Sequence, residues 1–144
     1  MALTKIDDRG LKTPIDLLDN EKIRFGTGND LEIYHSGTSS YIQDNGTGDL
    51  IIRASDQLKI QDTDNGESMA IFNKDGAVEL YYDGVKKLYT DTNGVRHDDS
   101  VWTYWGSDQD LYIGCNGSNS YLDNNVGHFY ISSDHLDLTR GDRL

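Results

Sequence analysis

Seven of the fourteen aromatic residues, Trp102, Tyr104, Trp105, Tyr112, Tyr121, Phe129 and Tyr130, fall between positions 102 and 130, interleaved with Asp and Asn. That combination suits a sugar, which offers a flat apolar ring face to an aromatic platform and hydroxyls to neighbouring polar groups. Alternation along strands over 101–105 and 110–115 puts Trp102 and Tyr104 on one face and turns Tyr112 away from Leu111 and Ile113. The glycan- or receptor-contact candidates are Trp102, Tyr104, Trp105, Tyr112 and Tyr130. The competing assignment for the same rings is a thin core or a subunit interface, where Tyr and Trp are enriched.

Other chemistry fails on spacing. Asp62-Thr63-Asp64-Asn65-Gly66-Glu67 resembles the start of a calcium loop, but Gly66 stands where the fifth-position ligand belongs. Asn73 replaces the bidentate Glu of the twelfth position. An acidic turn is the expectation there. His35, His97, His128 and His135 never fall at His-x-His or His-x-x-x-His spacing, which leaves one axial His per chain of a three-fold assembly as the remaining route to a metal. With 25 carboxylates in the chain, some pair will always lie at glycosidase distance, so that signal carries no weight. There is no Gly-rich phosphate loop and no G-x-S-x-G elbow, and Cys115 is the sole cysteine, so no disulfide framework exists within the chain. The expectation is a protein that is not an enzyme, with no metal and no cofactor.

Charge narrows the partners. A formal net charge of −12 and a pI near 4.4 argue against nucleic acid, whose phosphates call for clustered Lys and Arg, and against an anionic membrane surface. No apolar run is long enough to insert in a membrane as a helix, and MALTKIDDRG lacks the apolar centre of a signal peptide. Leu, Ile, Val and Phe supply only 33 of 144 residues, little above the level at which chains fail to fold. A chain that folds but cannot fill its own core completes it with copies of itself, so a homo-oligomer is expected.

The elements that must position these residues announce themselves by repetition. The stretch from Phe25 to Ile60 returns from Trp105 to Leu138 with two single-residue gaps. Leu31-x-Ile33 matches Leu111-x-Ile113, Ser40-Tyr41 matches Ser120-Tyr121, and Gly48 and Gly127 close the next turn. Strands are expected at 23–25, 30–35, 40–44, 49–54, 58–62, 68–73, 77–82, 86–90, 95–98, 101–105, 110–115, 120–123, 128–132 and 136–139. Six Asn-Gly or Asp-Gly dipeptides, such as Asp83-Gly84 and Asn116-Gly117, tolerate the positive φ of tight reversals. Thr13-Pro14-Ile15-Asp16 opens either one helical turn or an extended arm; no other segment is helical. The fold class is all-β, an elongated repeat of short strands and tight turns.

Two runs, DNEKIRFGTGNDLEIYH and GAVELYYDGVKKL, are the most specific parts of a resemblance that covers roughly residues 2 to 95. They resemble repeat modules of tail-fibre-like structural proteins of marine bacteriophages. The resemblance implies a virion protein that is β-rich, trimeric and elongated, attaching to a bacterial surface glycan or protein and to other virion proteins. It implies an intertwined trimeric β-prism or triple β-helix. Leu31, Ile33, Leu50, Ile52, Leu58, Ile60, Val78, Leu80, Leu111, Ile113, Phe129, Ile131, Leu136 and Leu138 would line its interior. The organisation expected is an arm or attachment segment over 1–22, a shaft-like module over 23–100 and a second, partial module over 101–144, a tip or cap. Two other roles stand beside the fibre: a capsid-decorating or connector protein without a receptor, and a polysaccharide-degrading tailspike.

Overall fold

Short alternating runs between residues that accept positive φ favour antiparallel meanders over helices. A computed structural model, which describes residues 15–136, contains eleven strands and no helix among those residues. They are β1 (Lys22–Phe25), β2 (Leu31–His35), β3 (Ser40–Asp44), β4 (Gln57–Gln61), β5 (Ser68–Asn73), β6 (Val78–Tyr82), β7 (Val85–Asp91), β8 (Gly94–Arg96), β9 (Trp102–Trp105), β10 (Leu111–Cys115) and β11 (Ser120–Asn124). All pairings are antiparallel between sequence neighbours, giving a first sheet β1-β2-β3, a second β4-β5-β6-β7-β8 and a third β9-β10-β11, none of them closed. The chain divides into two units between Ile52 and Arg53, one with the first sheet and one with the other two.

The turn between β6 and β7 demonstrates the local logic. Asp83 and Gly84 both take positive φ, 52° and 67°, as a two-residue type I′ hairpin requires, and Tyr82 pairs directly with Val85 across it. At the acidic turn after β4, one Asp62 carboxylate oxygen accepts the backbone N–H groups of Asn65, Gly66 and Glu67. That oxygen holds the turn, in keeping with the acidic turn expected there.

Each sheet has one apolar and one polar face. In the first, register places Ile23, Phe25, Leu31, Ile33 and Ile42 together, opposite Lys22, Arg24, Glu32, Tyr34, Tyr41 and Gln43. In the second, Leu58, Ile60, Ala70, Phe72, Val78, Leu80 and Leu88 share a face, and Lys59, Ile71, Glu79 and Tyr89 share the other. Eight of the fourteen expected interior positions, Leu31, Ile33, Leu58, Ile60, Val78, Leu80, Leu111 and Ile113, lie on apolar sheet faces, yet these faces are not interior within one chain; Leu50, Ile52, Phe129, Ile131 and Leu136 lie in no sheet. Among the described residues no side chain is fully buried; Ala70 and Glu32, at 8% and 7% exposure, are the most enclosed.

Eleven expected strands coincide with observed ones to within two residues. Two do not: 49–54 and 128–132 form no ladder, although they are as apolar as their neighbours. Leu136 lies in irregular backbone; the rest of the expected strand 136–139, with Leu138, lies outside the described residues, as do Thr13 and Pro14 of the expected helical turn. Ile15 and Asp16 form no regular structure. No helix among the described residues is long and apolar enough to cross a membrane.

On the polar face of the first sheet, Glu32 binds two cations, Lys22 Nζ at 2.6 Å through one carboxylate oxygen and Arg24 Nε at 3.0 Å through the other. The Lys22 hydrogen bond, joined by Arg24, outweighs the opposing effect of burial and holds the Glu32 carboxyl below its ordinary value of 4.5. A depressed folded pKa stabilises the fold above the unfolded value and loses that contribution as pH falls through the folded value. Urea denaturation at pH 7 and pH 3 should therefore show a larger acid-induced loss of stability in the wild type than in Glu32→Gln. Equal losses would remove Glu32 as the cause.

Candidate functional site

The third sheet rebuilds the first at an offset of eighty residues. Asn20 and Ser100 take φ of 66° and 65°, and Asn29 and Gln109 take 57° and 59°. The N–H of Asn20 donates to the His35 carbonyl and that of Ser100 to the Cys115 carbonyl, both at 2.7 Å. Strand registers correspond residue for residue, Leu31 with Phe25 as Leu111 with Trp105, and Ile33 with Ile42 as Ile113 with Leu122. The repeat thus begins several residues before Phe25, and its third expected strand does not take part: β4 belongs to another sheet.

The two faces of this repeat are treated differently. On the apolar face Phe25, Leu31, Ile33 and Ile42 become Trp105, Leu111, Ile113 and Leu122, so four of the five large apolar residues stay large and apolar, while Ile23 becomes Thr103. On the opposite face Lys22, Arg24, Glu32 and Tyr34 become Trp102, Tyr104, Tyr112 and Gly114, while Tyr41 stays as Tyr121 and Gln43 becomes Asp123. An ion cluster has been replaced by rings on the same backbone.

Those rings form a defined arrangement. Trp102 pairs across strands with Gly114, and a Cβ on Gly114 would stand 2.5 Å from Trp102 Cε3, so the indole lies against bare backbone. Tyr112 and Tyr121 flank it with ring centroids at 5.3 Å each, inclined 89° and 61° to its plane. Tyr104 extends the row, 5.9 Å from Tyr112. The Tyr112 hydroxyl donates to Asp123 Oδ2 at 2.6 Å, which pushes the Tyr112 pKa up and keeps the phenol neutral. Asn116 Nδ2 donates to the Tyr121 hydroxyl at 3.2 Å. The result is an indole floor with phenol walls and a carboxylate and an amide at the rim, a surface able to stack a sugar ring and bind its hydroxyls.

Of the five candidate contacts, the structure brings Trp102, Tyr104 and Tyr112 onto one face. Trp105 lies on the other, paired with Leu111, and Tyr130 lies outside the sheet, 83% exposed and 5.8 Å from His128. Tyr121, Gly114 and Asp123 complete the cluster without having been candidates; the Ser-Tyr repeat that aligned Tyr121 with Tyr41 was the signal for the first of them. His97 joins the second and third sheets, its Nδ1 2.7 Å from the Lys87 carbonyl and its Nε2 3.1 Å from Thr103 Oγ1. No group of His, Cys, Asp and Glu side chains among the described residues is arranged to hold a metal.

Comparison with protein-family models, with characterised proteins and with solved structures finds no match.

Gly114→Ala tests the arrangement directly. The added methyl cannot coexist with the indole where it lies, so Trp102 must leave the backbone, at a cost of about 1–3 kcal/mol. In a Trp105→Phe background, where Trp102 is the only tryptophan, its fluorescence should shift to the red; an unchanged spectrum would mean the indole does not rest on Gly114.

Proposed function

We propose that this chain is a non-enzymatic structural protein of a bacteriophage particle, a tail fibre or fibre-like appendage that attaches the particle to the bacterial surface. It assembles through its apolar faces as an intertwined homotrimer, a β-prism or triple β-helix, and presents the aromatic face of the third sheet outward. The observation that carries this reading is the unequal treatment of the two faces. A face kept apolar at four of its five large positions serves a shared structural requirement, and a face rewritten from ion cluster to aromatic box serves recognition. The incomplete burial within one chain supports self-assembly. The virion setting rests on the resemblance of residues 2–95.

The ligand class follows from the box. An aromatic floor with hydroxyl-directed rim groups and an acidic surroundings favours a neutral or amino sugar over an anionic one, since net charge is −12. Trp102 is the central contact, with Tyr104 and Tyr112 beside it, and Trp105 belongs to the assembly face.

Trp102→Ala should weaken binding to bacterial cells or to an arrayed envelope glycan by at least about tenfold, with the oligomer's mass in solution unchanged. Trp105→Ala should act in the opposite sense, lowering assembly. A wild-type protein that coats purified particles but never binds cells or glycans would instead favour the capsid-decorating role. Release of reducing sugar from envelope polysaccharide, lost on a single Asp or Glu substitution, would favour the tailspike.

A further inference from the structure

The two segments omitted from the ladders occupy the same place in the repeat. Residues 49–53 follow β3 and residues 128–132 follow β11, and each carries three consecutive large apolar side chains, Leu50-Ile51-Ile52 and Phe129-Tyr130-Ile131. All six are exposed, from 47% at Leu50 to 83% at Tyr130. A run that is apolar at every position, not at alternate ones, is the pattern of a strand covered on both faces. Yet no backbone group of either segment is hydrogen-bonded to backbone among the described residues.

Neither segment folds back on the strand before it. As the chain leaves β3, the Asn45 N–H donates to the Asp30 carbonyl at 2.6 Å, and after β11 the Asn125 N–H donates to the Asp110 carbonyl at the same distance. Asn125 Nδ2 adds a bond to the Gln109 carbonyl. These bonds extend the β2–β3 and β10–β11 ladders by one rung, and beyond them neither segment returns along β3 or β11. The outer edges of both three-stranded sheets stay open.

We propose that residues 49–53 and 128–132 are donor strands, each pairing its backbone with an open sheet edge of a neighbouring copy of this chain. The inference rests on the self-assembly reading above and specifies its contact. A second copy is the occupant because the chain holds both halves of the contact, two donors and two open three-stranded sheets, in matched repeats. The exposure of the receiving sheets agrees: Phe25, Ile33, Ile42, Trp105, Ile113 and Leu122 on their apolar faces are 38–62% exposed.

Proline in a ladder removes a donor and forbids pairing. Ile51→Pro and Tyr130→Pro, made together, should convert the oligomer to monomer while its circular dichroism stays that of a β protein, because neither residue supports an intrachain strand. Ser55→Pro, just beyond the first segment, should leave the oligomer intact. In the wild-type oligomer the amides of residues 50–52 should exchange at least about 100-fold more slowly than in an unstructured peptide. An oligomer whose 50–52 amides exchange freely, or one that survives both prolines, overturns the donor strands and leaves self-assembly standing. A wild-type monomer by light scattering overturns both.

Discussion

A β-sheet with one apolar face needs a second layer, and the first and third sheets have three strands each with nothing in their own repeat to supply it. Everything else in the chain follows from that constraint. The polar faces are finished surfaces: Lys22 lies 4.2 Å over the Tyr34 ring, Tyr34 and Tyr41 stack at 4.8 Å, and Lys86 lies 3.9 Å over Tyr89. The apolar faces are unfinished, with Phe25, Ile42, Trp105 and Leu122 each about half exposed or more. Hydrophobic burial is the dominant favourable contribution to folding, and these exposed faces leave part of it unused within one chain.

The aromatic box is a consequence of how the repeat exchanges volume. In the first sheet a long flexible Lys22 faces a large Tyr34; in the third the large residue moves to β9 as Trp102 and the facing position shrinks to Gly114. The bulk moves to one side of the strand pair, and the backbone keeps its conformation, as the matching turn angles and exit hydrogen bonds attest. The aromatic surface arises on one face of the sheet, while four of the five large apolar positions on the other stay apolar.

Much of this was readable from the residues. Alternation found eleven strands, the Asn-Gly and Asp-Gly pairs found reversals such as Asp83-Gly84, and face assignments such as Val78 with Leu80 opposite Glu79 held in the ladder. The segments 49–54 and 128–132 misled the pattern because apolarity reports that a strand wants cover and is silent on whether its own chain supplies it. Trp105 was grouped with Trp102 by proximity in sequence, but three positions along a strand is an odd step and lands on the opposite face. Tyr121 and Asp123 joined the site through register across β10 and β11, a relation between distant positions that composition does not encode.

The exchange of an ion cluster for aromatic rings also changes what the surrounding medium can do. Dissolved salt shortens the reach of exposed charge to about 3 Å at molar ionic strength, which touches the half-exposed Arg24 more than the enclosed Lys22–Glu32 contact. Stacked rings carry no net charge for ions to screen, and salt strengthens apolar contact if it acts at all. Ionic strength therefore bears on the first sheet's polar face through Arg24, and on the Trp102 rings of the third only through the Asp123 carboxylate at their rim.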